Sequence, residues 1–407
     1  MKNDVLNKLA FPICLIAVLG GAVPRSPAAG QDTRPGIVRV PARVFEGDKF
    51  VAGLKIGDFE VLEDGVPQKV RALYLVDKDA IERSEGEVGF LPFVGRRFTL
   101  MFQLFEYHPK LAEAIRYFVE TEMRSGDLLE IQTPMKNYQL SAQSLAEQPR
   151  KAIADRLIEI VRKDIIAGSM AYNSLMNDLK KHIRSIGGAN PMETLETDTE
   201  TEDFSVELLL PRYRTIIQNL DNLRKIDTDK MAEFALALKK QRGRKFIFYF
   251  YQREFRPEID PQVLNQLFSL NQDKSNILGE LQELFQTYHL NFSQDVPRLK
   301  NAFADSGADF NLLFLNKNPE RVARIVMREQ SEDIFRALAD VAEATGGVVD
   351  TSQNPAAGVR SALKISDRYY LLDYDTSNSS GDGAFKTISI KVRGKSYKVF
   401  HRKGYFN

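Results

Sequence analysis

An α/β fold with β-rich chain ends is what this sequence predicts, and three observations predict it. Predominantly apolar runs at 98–104, 245–251 and 309–315 have the composition of strands covered on both faces. Amphipathic helical patterns over 109–124 and 331–345 stand between and after them. Segments of strict period 2 occur only towards the chain ends, at 36–76 and 368–401. Strands alternating with helices build an open, mostly parallel sheet, whereas the period-2 strands are too few at either end to be stable alone. Packing the two end groups together gives a β-sandwich with the α/β domain inserted in it.

Composition sets the outer limits. The chain has 407 residues, and roughly 150 residues per domain suggests two or three domains. With 43% hydrophobic and 27% charged residues it is an ordinary folded chain. Fifty-six basic residues against 55 acidic leave a net charge of +1, so there is no general attraction for nucleic acid. One Cys, four His and no Trp exclude a disulfide framework and Cys-rich zinc sites.

Taken in order, residues 1–30 read as a secretory leader. Lys2 and Lys8 precede an uncharged apolar run over 9–23, and Ser26, Ala28, Ala29 and Gly30 offer cleavage before Gln31. A retained anchor is the alternative, although the run falls short of the ~20 residues a span takes. Cys14 lies inside the run, too early for a lipidated cysteine at the cleavage site. The expected product is periplasmic or secreted, with no thiol and no stable membrane insertion.

Residues 31–95 supply the first sandwich strands and a linker. Alternation over 36–45 breaks at Gly47-Asp48, and Asp64-Gly65 stands between two further alternating runs, a strong hairpin signal. The charged stretch 77–95 reads as linker. The α/β domain is expected over 96–366: strand 98–104, helix 109–124, strand 127–131, strands 245–251 and 309–315, and helix 331–345 stopped by Gly346-Gly347 before a short strand at 348–349. Between 140 and 242 the pattern is helical, with candidates at 147–166, 170–186, 205–223 and 228–242, and reads as an insertion. Its acidic stretch 193–203 reads as a solvated connection. Residues 367–407 return to period 2: strands 368–374 and 385–392, then a turn at Arg393-Gly394 and a pairing back by 396–401.

No phosphate loop, nucleophile elbow or zinc-protease helix occurs. His108, His182, His289 and His401 are scattered, and none nominates a nucleophile. His182 reads as a surface residue and His401 as a structural one.

Three segments carry a resemblance. They are 54–70, with Asp58-Phe-Glu-Val-Leu-Glu-Asp-Gly-Val-Pro-Gln68; the frame 97–131, with Ser125-Gly-Asp127; and Leu338-Ala-Asp-Val-Ala-Glu-Ala-Thr-Gly-Gly347, followed by Tyr369-Tyr-Leu-Leu-Asp-Tyr374 and Arg402-Lys-Gly-Tyr-Phe406. In order and spacing the chain resembles the von Willebrand factor A-related family of exported bacterial proteins. The resemblance covers nearly the whole chain after residue 30 apart from the helical region 140–242, and it implies a doubly wound, mostly parallel A-type sheet. The helical insertion and the sandwich of both chain ends are read from the residues. It also implies a divalent cation held by Asp-x-Ser-x-Ser after the first strand, a Thr, and an Asp on a third loop.

At that place the sequence departs from the family. Gln103, Phe105 and Tyr107 fall where an Asp and two Ser would stand, and Gln252-Arg253 replaces the usual Asp-Gly. An amide and two aromatic rings cannot supply the hard oxygens that Mg²⁺ takes, so no cofactor is expected. What remains is a rim of Gln103, Phe105, Glu106, Tyr107, His108, Gln252, Arg253 and Glu254 at the carboxyl edge of the sheet, where open α/β sheets place ligands. The expectation is a non-enzymatic interaction or scaffolding protein that binds a protein partner through this rim. A cell-envelope component oligomerising through its helical insertion, and an enzyme with a spatially assembled site, are the alternatives.

Overall fold

The computed structural model describes residues 36–87, 91–140, 142–188, 206–288, 295–376 and 383–407. The expected leader at 1–30, the acidic stretch 193–203 and His289 lie outside them. In chain order the first strands are β1 (Ile37–Glu46), β2 (Lys49–Phe50), β3 (Phe59–Glu63), β4 (Val66–Gln68), β5 (Val70–Asp77) and β6 (Ala80–Gly86). The middle comprises β7 (Arg96–Gln103), α1 (Lys110–Tyr117), β8 (Leu128–Gln132), β9 (Asn137–Leu140), α2 (Ala142–Glu147), α3 (Arg150–Gly168), α4 (Met170–Gly188), α5 (Val206–Arg224), α6 (Thr228–Lys239), β10 (Arg244–Gln252) and β11 (Phe255–Ile259). There follow α7 (Pro261–Leu270), α8 (Ser275–Tyr288), α9 (Val296–Ser306), β12 (Ala308–Leu315), β13 (Ile325–Glu329), α10 (Glu332–Thr345), β14 (Val349–Asp350) and α11 (Pro355–Asp367). The chain closes with β15 (Arg368–Asp375), β16 (Phe385–Val392), β17 (Lys398–Phe400) and β18 (Gly404–Phe406).

The fold is mixed α/β with several sheets. One sheet has the order β14-β12-β10-β7-β8-β9. Its strands run parallel except the edge strand β9. The strands β10 and β12 are mostly apolar and are buried along their whole length. Separate apolar clusters cover the two faces. Phe98, Phe102, Phe246 and Phe250 pack under α1, α3 and α11, and Tyr249, Phe310 and Leu312 pack under α6, α9 and α10.

The chain ends form two antiparallel sheets, β17-β1-β15-β5-β6 with β2 beside β1, and β18-β16-β3-β4. One apolar cluster, with Val40, Leu73 and Tyr370 from the first sheet and Val61, Ile388 and Ile390 from the second, lies between them. The first sheet is also buried on its other face, against the amino edge of the parallel sheet. There Arg43 lies 3.3 Å from Asp309, Asp309 accepts from Arg244 at 2.5 Å, and Arg244 sits 4.6 Å from the centre of the Tyr369 ring. The amino edge is thus covered by the strands of the chain ends.

Four expectations are corrected. The stretch 77–95 is not all linker: Ala80–Gly86 pairs antiparallel with β5 as an edge strand, and its charged side chains blunt that edge. Residues 396–401 do not pair back on 385–392. Instead β17 crosses to the end of β1, where Phe400 packs edge-on against Phe45, and β18 takes the place beside β16. Residues 140–242 are not one insertion either. The α3 and α6 helices are layers of the parallel sheet, whereas α4 and α5 join α7 and α8 in a separate helical body. His182 is half-buried rather than a free surface residue, and burial lowers its pKa.

Candidate functional site: the carboxyl edge and its cleft

The helical body rests on the carboxyl edge of the parallel sheet. Its apolar core of Leu179, Ile183, Tyr213, Ile217, Leu267 and Leu281 takes in Phe105, from the loop after β7, and Ile259 and Ile325, from the two-stranded sheet β11-β13. The rim expected from sequence is therefore largely covered by the protein itself.

Its residues separate into three groups. Phe105 is buried, its ring stacked on Tyr172 of α4 at 4.0 Å between centroids. Gln252 is buried at the end of β10, and Gln103 closes β7 beside Tyr251. His108 and Arg253 are engaged locally. The His108 Nδ1 accepts from the Lys110 N–H that opens α1, and Arg253 lies 3.1 Å from Glu329 and over the Phe314 ring. Glu106 and Tyr107 reach the surface, and with the buried Phe105 at its base they line a shallow cleft of about 680 Å³.

The opposite wall of that cleft comes from the corner between α3 and α4. Ile153, Leu157, Val161 and Ile165 form the buried stripe of α3, so Ile166 falls off it and faces outward. The helix stops at Gly168, where the chain passes so close to Pro134 that a Cβ would meet its ring at 2.6 Å. Ser169 accepts the Asn173 N–H at 2.9 Å and α4 begins. This corner leaves Ile166 50% and Met170 65% exposed, with Arg162, Ser174 and Asn177 beside them. Asp164 anchors the corner to the edge strand by accepting from Thr133 at 2.7 Å and Tyr138 at 2.8 Å. Burial, with that carboxylate, pushes the Tyr138 hydroxyl up to about 12.

Beneath the helical body lies a charged cluster of which the sequence singled out only Glu254. Arg224, at the end of α5, is 4% exposed. Its Nε donates to Glu254 at 2.5 Å, its Nη2 donates to the Gln330 carbonyl, and Asp221 and Asp333 each lie 3.5 Å away. Arg256 extends the network to Asp221 at 3.6 Å and Glu258 at 2.8 Å. Burial pulls the Arg224 pKa down, but Glu254, Tyr251 and Asp333 together outweigh it and the pKa ends raised. Burial likewise pushes the Glu254 carboxyl up, with Arg224 pulling against it. A run such as Asn222-Leu-Arg-Lys225 carries no signal for this role, since only the fold brings α5 over Glu254.

The cation that the resemblance implies does not fit these residues. Phe105 is locked in an apolar stack, Glu254 is already committed to a guanidinium, and among the described residues no group of three or more His, Cys, Asp or Glu side chains could hold a metal ion. Comparison of the chain with family models, curated proteins and solved structures finds no match. Among the described residues no helix is long and apolar enough to cross a membrane.

Proposed function

We propose that this chain is an exported, non-enzymatic interaction protein built on a von Willebrand A-like domain that has given up its metal site. The mostly parallel sheet, with apolar layers on both faces and antiparallel end strands around it, supports that reading of the fold. The observation that carries the function is the cleft. It lies beside the loop after β7 and combines two exposed apolar side chains with an adjoining aromatic and polar wall, the mixture that protein-binding patches share. Partner capture by the wild type, compared with Met170→Asp and Tyr107→Ala, tests it. Both variants should lose the partner by about tenfold or more, and Met170→Asp, at an exposed side chain, should do so at an unchanged thermal midpoint. Retained capture by both would refute the reading.

A second reading, oligomerisation through the helical body, rests on Leu208 of α5 and Leu270 of α7, which are 65% and 67% exposed. Sedimentation of wild type and Leu208→Glu/Leu270→Glu separates the two. A shift to smaller species in the variant favours this reading, and identical monomers disfavour it.

A further inference from the structure

We infer that the cleft takes an acidic, apolar peptide segment of a partner protein, with a carboxylate on Arg162 and a large apolar side chain between Ile166 and Met170. This inference rests on the reading of the cleft as the interaction surface.

Charge decides the chemistry. Two charged side chains line the cleft, Glu106 and Arg162. Glu106 is bound by Lys317. Among the described residues no carboxylate lies within ion-pair distance of Arg162, whose guanidinium sits 5.9 Å from the centre of the Tyr107 ring. The cleft therefore carries one uncompensated positive charge. A basic ligand would meet like charge here. A purely apolar ligand would desolvate the guanidinium without pairing it, and an unpaired buried charge is costly.

The remaining lining fits the rest of such a segment. Ile166 and Met170 offer an apolar contact, and a methionine thioether adapts to varied side chains. Ser174 and Asn177, both exposed, are placed to hydrogen-bond a passing peptide backbone. Tyr107 adds an aromatic surface beside the guanidinium.

The test is fluorescence anisotropy of the whole protein with three short labelled peptides. One alternates Glu with Leu, one has Gln for Glu, and one has Lys for Glu. The Glu peptide should bind about tenfold or more tighter than the other two and weaken with salt. Arg162→Glu should abolish that preference, and Met170→Asp should weaken the Glu peptide by a similar factor. Both side chains are exposed, so these variants keep the fold. If the wild type binds the Glu and Gln peptides equally, with binding still lost in Met170→Asp, the acidic preference is overturned and the interaction surface stands. If no peptide responds to Met170→Asp, the surface reading falls as well. Dimerisation that Arg162→Glu removes would assign the cleft to a second copy of this chain and overturn the partner assignment.

Discussion

At the scale of single residues, Arg224 explains how a helical body can rest on a sheet edge lined with carboxylates. Its guanidinium neutralises Glu254 and reaches Asp221, Asp333 and the Gln330 carbonyl from one point. Removing one partner of such a buried pair leaves the other charge uncompensated, which costs about 3–5 kcal/mol. Arg224→Met should lower the stability by that amount in chemical denaturation, and Arg224→Met/Glu254→Leu should recover most of it. A double variant no better than the single one would contradict this account of the cluster. Because Glu254 is committed, Mg²⁺, Mn²⁺ or Ca²⁺ should move the thermal midpoint by less than about 1 °C. A rise of several degrees specific to one ion would refute the loss of the cation site.

His401 is the other instructive residue. Its Nε2 accepts the Ile390 N–H at 3.3 Å and its Nδ1 donates to the Arg402 carbonyl at 2.8 Å, so the neutral ring fits the sandwich. Burial lowers its pKa to about 4. Above the unfolded pKa of about 6.5 both states hold a neutral ring and nothing changes with pH. Between that value and about 4 the unfolded chain takes up a proton that the native ring refuses, so stability falls as pH falls. The full difference is about 3 kcal/mol. His401→Gln should flatten the acid limb of a stability–pH curve relative to wild type. Parallel curves would show that the ring titrates normally.

At the scale of elements, the parallel strands and their helices were legible because burial on two faces or on one stripe writes itself into composition and periodicity. The runs at 98–104, 245–251 and 309–315 correspond to β7, β10 and β12 within two residues at either end. The Asp64-Gly65 hairpin was legible for a different reason, since both residues hold positive φ, of 48° and 81°. Pairing partners were not legible. The alternation over 396–401 fixes which side chains face inward but not which strand they lie beside, and the Phe45–Phe400 contact draws β17 to β1. The edge strand β6 escaped notice because edge strands are charged as linkers are. Gly346-Gly347 reads as a helix stop, yet Gly347 does more: a Cβ there would stand 1.9 Å from the Phe310 carbonyl oxygen. Gly347→Ala should therefore destabilise by about 2 kcal/mol or more, beyond any change in helix propensity. An unchanged denaturation midpoint would show that the strand end can shift.

At the scale of the whole molecule, the arrangement divides labour between the two edges of one sheet. The antiparallel strands of both chain ends cover the amino edge through Arg43, Asp309 and Arg244, and the helical body covers most of the carboxyl edge. Of the rim read from sequence, only Phe105, Glu106 and Tyr107 belong to the open cleft. Their partners Arg162, Ile166 and Met170 come from helices whose relative placement no local pattern encodes. Deleting 140–242 would strip α3 and α6 from the parallel sheet as well, so the cleft is better probed by exposed single residues. The most direct test is photo-crosslinking from a residue analogue at position 170, with a control at Leu236, which is 52% exposed on α6. A discrete partner adduct from position 170, absent from position 236 and lost on Arg162→Glu, is the expected result. Adducts from position 236 alone, or equal adducts from both positions, would contradict the claim that this cleft is where the protein meets its partner.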